Sequence, residues 1–109
     1  VSRLMAKNDK RYPEVISLLA ASIYKQGEAL AAKGELRRAI EEFYRVGRIA
    51  PSSKEAALAE IDAASYLMQL QEWPEAISVL SRFRTKYPND PFIQSIPAKL
   101  VYAYENTMY

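Results

Sequence analysis

Histidine and cysteine are both absent from the 109 residues. Their absence excludes imidazole and thiolate metal sites, disulfides, Ser-His-Asp and Cys-His nucleophile systems and histidine general bases together. Glycine is scarce: Gly27, Gly34 and Gly47 are the only three, scattered too widely to form a loop that cradles phosphate. No apolar run is long. The longest uncharged stretch, Val15 to Tyr24, has ten residues, half of the roughly 20 that cross a bilayer. A dominant charge is lacking too, since fifteen Lys+Arg against thirteen Asp+Glu leave +2, too small a surplus to imply a polyanionic partner. Nor is there a strand-like run of β-branched residues.

Alanine is abundant instead, with sixteen copies, and the chain is 50% hydrophobic and 26% charged. That is the composition of a soluble globular protein built from helices. The length suits one domain with a core. Arg3 to Tyr24 has the basic, apolar and small-residue order of a signal peptide. Pro13-Glu14, however, opens the run as a helix N-terminus does, and the apolar register continues past Ala20-Ala21-Ser22. It is read as a helix, and a targeting segment is expected only upstream of Val1.

Sliding the chain along itself brings coincidences at an offset of 37: Ala39 on Ala76, Ile40 on Ile77, Leu30 on Leu67, Pro51 on Pro88 and Glu35 on Glu72. Gly27/Ala64 and Phe43/Leu80 keep size or apolarity. Each unit reads as two helices. The first spans about 14–33, with Ile16, Leu19, Ala20, Ile23, Gly27, Leu30 and Ala31 on one face and Gly34 closing it. The second spans 36–49, its face formed by Leu36, Ala39, Ile40, Phe43 and Val46. Ser52 and Glu55 have capping-box spacing before a helix over 54–71. Trp73-Pro74-Glu75 starts another over 74–87. Asn89-Asp90-Pro91 precedes a last helix over 91–109 that Pro97 should kink or restart. The expected organisation is a lead or helix remnant over 1–12, a repeat over 13–53, a second over 54–90 and half of a third over 91–109.

With Gly27, Leu30, Gly34, Ala39, Phe43 and Pro51 in one unit and Ala64, Leu67, Ala76, Leu80, Phe83 and Pro88 in the next, the chain resembles tetratricopeptide repeats. The period is longer than that family's 34, and Ile23 and Glu60 stand where it carries an early tryptophan. Val101 takes the small-residue position of the third unit. The resemblance implies an all-α fold, a right-handed α-solenoid of antiparallel helix pairs with two and a half repeats and five helices. It also implies a protein–protein interaction scaffold with no enzymatic role and no cofactor. Residues 83–91 with Ala98 and Tyr102-Ala103-Tyr104 are similar to repeats of bacterial cell-envelope proteins. The implied setting is therefore the periplasm or cell envelope, otherwise the cytoplasm.

Carboxylates at Glu28, Glu35, Glu41, Glu42, Asp62, Glu72 and Glu75 are spread over helix faces rather than paired for catalysis; adjacent Glu41 and Glu42 point about 100° apart. No catalytic, metal or cofactor residue is expected. Carrying the family's inward-facing positions over by the offset implies a groove bearing Ala21, Tyr24, Glu28 and Ala31, then Leu58, Ile61, Ser65 and Met68, then Ala98, Tyr102 and Glu105. Such a surface is apolar and tyrosine-bearing, and Tyr24 and Glu28 replace the Lys and Asn with which some family members clamp a carboxylate. It suits a hydrophobic or amphipathic protein segment, with Tyr24, Met68 and Tyr102 as contacts. The alternative is nucleic-acid binding along Arg37, Arg38, Arg45, Arg48, Arg82, Arg84 and Lys86. Against it, Arg38/Glu42 and Glu41/Arg45 have the i,i+4 spacing of internal helix pairs. At the far end Leu100, Val101, Tyr104 and Met108 are expected to face water. That face points to a fragment of a longer repeat protein, or to self-association through the last helix.

Overall fold

The computed structural model describes residues 9–107, and among them the chain folds into five α-helices with a short 3₁₀ segment and no strand. The lead over 1–8 and Met108 lie outside the described residues. Helix α1 spans Tyr12–Ala32, α2 Leu36–Ile49, α3 Lys54–Gln69, α4 Trp73–Lys86 and α5 Ile96–Thr107, with the 3₁₀ turn at Pro91–Ser95. α1 runs unbroken through Ala20-Ala21-Ser22. Pro13 sits in the first turn of α1 and Pro74 in that of α4, where a missing N–H leaves no helix bond unmade. Pro97 restarts the last helix: the chain turns as a 3₁₀ helix before it and as an α-helix from Ile96 on.

Both first helices end in the same way. Glu35 N–H donates to the Leu30 carbonyl at 3.0 Å and Gly34 N–H to Ala31 at 2.9 Å. One offset later Glu72 N–H donates to Leu67 at 2.8 Å and Gln71 N–H to Met68 at 3.0 Å. These are two Schellman closures. The residue that must turn left-handed is Gly34 in one, at φ 85, and Gln71 in the other, at φ 60. Before α3 the cap is Ser53, not Ser52: Ser53 Oγ accepts from the Ala56 N–H at 3.1 Å. Its extended backbone puts the hydroxyl over the first free N–H groups, while Ser52 is exposed.

Each helix packs mainly on the next in sequence, and α3 also touches α1. α2 buries Ala39, Ile40, Phe43 and Val46, and α4 buries Ala76, Val79, Leu80 and Phe83, each on one stripe. Enclosed between them, α3 buries eight of its sixteen residues, among them Ala56, Ala59, Ala63, Ala64 and Leu67. Stacking in line makes an α-solenoid, and the extents of 52 × 32 × 19 Å and radius of gyration of 15.2 Å fit that shape; a compact globule of about 100 residues measures about 13 Å. The two flanks stay open. On α1 Leu19 turns outward with Val15 and Leu18, because no described element covers that side. On α5 Val101 and Tyr104 are more than half exposed as expected, but Leu100 is not: it lies one turn after Ile96 and packs with it against α4.

Candidate functional site

The residues expected on an inward surface belong to α1, α3 and α5, and the structure divides them into two groups. Ile61 is 7% exposed and belongs to the core, because α3 is enclosed on both sides. Tyr24 is half-buried and bound internally. Its hydroxyl donates to Asp62 Oδ2, and its ring meets Phe43 at 5.4 Å between centroids, with Phe43 stacked in turn on Tyr66 at 6.0 Å. Tyr24 therefore fastens α1 to α3. Burial, followed by the Asp62 carboxylate, raises the Tyr24 hydroxyl well above its ordinary value, while burial raises Asp62 against the pull of the tyrosine bond. The others keep access to solvent. Leu58, Ser65 and Met68 are half-buried on α3, and Glu28, Tyr102 and Glu105 are exposed on α1 and α5. Tyr102 is 55% exposed and rests edge-on against Trp73 with centroids 5.7 Å apart.

The basic residues singled out by the sequence lie on α2 and α4, and most are tied to carboxylates. Arg38 pairs with Glu35 at 2.6 Å and Arg45 with Glu42 at 2.8 Å. Their partners lie three residues upstream, so among the described residues neither expected i,i+4 pair, Arg38/Glu42 or Glu41/Arg45, is formed. Arg37 reaches across to Glu75 at 3.2 Å. Glu75 also accepts from the Tyr44 hydroxyl at 2.6 Å, so a second tyrosine–carboxylate bond joins the units. The Tyr44 bond, with Arg37 assisting against burial, holds the Glu75 carboxyl below the usual range. Tyr87 adds a third tie by donating to the Pro51 carbonyl at 3.1 Å.

One feature of this surface escapes the repeat pattern. A cleft of about 410 Å³ opens between α2 and α4, lined by Phe43, Tyr44, Gly47 and Arg48 on one side and Glu75, Ser78, Val79, Arg82 and Lys86 on the other. Glu60 of α3 also lines it. Glu60 is 6% exposed; Lys86 donates to its Oε2 at 3.2 Å, Arg82 Nε stands 3.9 Å from Oε1, and Oε1 has no hydrogen-bond partner. The register held the clue: one offset earlier the same position is Ile23, a buried apolar residue. A charge where the repeat accepts an aliphatic side chain was visible in the sequence.

Among the described residues no group of acidic side chains is arranged to hold a metal ion, and no helix is long and apolar enough to cross a membrane. Residues 63–90 match the family model of the tetratricopeptide repeat, covering the second half of α3, all of α4 and the turn after it. No curated protein and no solved structure matches the chain. Residues 63–90 are thus similar to a tetratricopeptide repeat, a family whose members serve in general as protein-binding scaffolds.

Proposed function

We propose that the chain, carrying a tetratricopeptide repeat over residues 63–90, holds a protein segment on its inward surface. The observation that carries this reading is the row of accessible residues on successive first helices: Glu28 on α1, then Leu58, Ser65 and Met68 on α3, then Tyr102 and Glu105 on α5. Half-buried apolar groups bordered by carboxylates suit a hydrophobic or amphipathic segment with little negative charge. The site is preformed, since the ties from Tyr24 and Tyr44 fix the units, so little ordering entropy is lost on binding. The chain is read as part of a longer bacterial repeat protein working in the cell envelope, supported by the similarity of residues 83–91 to repeats of such proteins. The test is capture of the cellular partner on immobilised protein. Met68→Glu with Tyr102→Ala should lose the partner while melting temperature stays nearly unchanged, and Arg84→Glu on the outer face should retain it. Undiminished capture by the groove variant would rule the reading out.

A further inference from the structure

We propose that a hollow between the first turn of α1 and the turn from α2 to α3 is a second interaction site, and that it takes a tyrosine side chain of a protein partner. The hollow measures about 280 Å³, with Pro13, Ile16 and Ser17 on the α1 side and Ile49, Ala50 and Pro51 on the other. None of these is among the residues expected on the groove.

The second unit shows what fits there. Ala50 and Tyr87 stand at the same register position, each followed by proline. Their backbones agree, with φ −138 and ψ 68 at Ala50 against φ −130 and ψ 61 at Tyr87. Each N–H closes its helix, Ala50 on the Val46 carbonyl at 2.9 Å and Tyr87 on that of Phe83 at 2.8 Å. Each carbonyl then accepts from the N–H three residues on, from Ser53 at 3.0 Å and from Asp90 at 3.2 Å. The two Cα–Cβ bonds therefore leave their helices in the same direction, and only what they carry differs.

From Tyr87 the ring packs on Phe83 with centroids 5.2 Å apart, and its hydroxyl reaches back to the Pro51 carbonyl before α3. Ala50 carries a single methyl group, 7% exposed, and the space beyond it toward α1 stays open as the hollow. The second unit thus fills with its own tyrosine what the first leaves open.

Size and chemistry agree with such an occupant. A cavity of about 150 Å³ holds a benzene ring, so the hollow has room for a phenol. Pro13, Ile16, Ile49 and Pro51 offer aliphatic walls to the ring, and exposed Ser17 offers a hydroxyl to the phenolic O–H. Among the described residues no charged side chain lines the hollow, so an ionic group placed there would lose water without gaining a partner.

The test is a titration of the isotope-labelled 109-residue chain, followed by amide chemical shifts, with two blocked tripeptides, acetyl-Gly-Tyr-Gly-amide and acetyl-Gly-Leu-Gly-amide. The tyrosine peptide should move the amides of Ile16, Ser17, Ala50 and Ser53 saturably. The leucine peptide should bind about fivefold more weakly, since it has no group for the Ser17 hydroxyl. Ala50→Tyr places the ring covalently; it should weaken the tyrosine peptide at least about tenfold and raise the melting temperature. Ser17→Ala should remove most of the preference for tyrosine over leucine with the fold intact. Met68→Glu, on the expected groove, should leave affinity within about twofold, which separates this site from the one proposed above. The proposal is overturned by an absence of saturable shifts at those four amides, by equal binding of the two peptides, or by undiminished binding to Ala50→Tyr. A lowered melting temperature in Ala50→Tyr would overturn it too, because the hollow would then not match the Tyr87 site, and so would a preference for tyrosine that survives Ser17→Ala.

Discussion

Gly27 in the first helix pair lies so close to Phe43 that an added Cβ would stand 2.6 Å from the ring. One offset later the matched residues are Ala64 and Leu80, both fully buried. A larger side chain on one helix is met by a smaller one on the other, so the two crossings stay close with their bulk divided differently. At the end of the first helix the difference runs the other way. The left-handed position is Gly34 in the first unit, where it costs little, and Gln71 in the second, where a side chain is forced to φ 60. The backbone repeats while the strain moves, which shows that hydrogen bonding and helix spacing are held constant and residue size is adjusted around them.

Substituting across the units tests this most directly. Gly27→Ala should cost about 2 kcal/mol, because the ring it meets is itself 1% exposed and has nowhere to go. Adding Phe43→Leu recreates the pairing of the second unit and should recover about 1 kcal/mol of the summed losses, read as coupling in a double-mutant cycle of urea denaturation. Additive losses would mean that the two crossings are not equivalent. Exchanging the turn residues has a smaller effect: Gly34→Gln should destabilise by about 1 kcal/mol, and Gln71→Gly should stabilise by about 0.5 kcal/mol, less than the strain relieved because glycine loses more freedom on folding.

The two tyrosine–carboxylate ties give the smallest and most discriminating contrast. Glu75 has its value lowered from 4.5, so its contribution is present above that value and is lost as pH falls through the folded one. Asp62 is raised from 3.8, so the folded state favours its protonated form; that contribution exists in acid and disappears as pH rises through the folded value. Glu75→Gln should therefore cost about 0.5 kcal/mol near pH 7, a figure kept small by solvent screening, and its gap from the parent should close as pH falls below 4.5 and through the lowered folded value. Asp62→Asn should move the opposite way, losing ground to the parent over the same descent. Urea midpoints at neutral pH and in acid check both, and parallel shifts would show that the ties are equivalent after all.

Much of the fold was legible because it follows from short-range rules. The boundaries of α2 were readable from Gly34 and Pro51 alone, and the buried stripe Ala39, Ile40, Phe43 and Val46 from its spacing. Errors arose where a neighbour decides. Leu19 belongs to the apolar register of α1 but is 43% exposed, since no described helix flanks it; Leu100 shares the register of the exposed Val101 and Tyr104 but packs on α4. Register puts Ile61 on the expected groove, but α3 lies between α2 and α4, which bury half of its residues, Ile61 among them. Among the residues expected on the groove, Met68 and Tyr102 keep the access their register implies, whereas Tyr24 is half-buried and bound to a carboxylate 38 residues away. Glu60 is legible in the sequence as a departure from the repeat beside Ile23, but its burial follows only from the enclosure that α2 and α4 make around α3.

The sequence by itself determined the helices, their turns and the repeat, because periodicity, capping and the left-handed closures depend on residues within a turn or two of one another. It also excluded histidine and thiol chemistry by omission. Only the tertiary structure decided which charges are satisfied and which apolar faces are covered. Those outcomes depend on side chains brought together from distant parts of the chain, such as the tyrosines that find carboxylates 38 and 31 residues away and the glutamate left with one oxygen unmet.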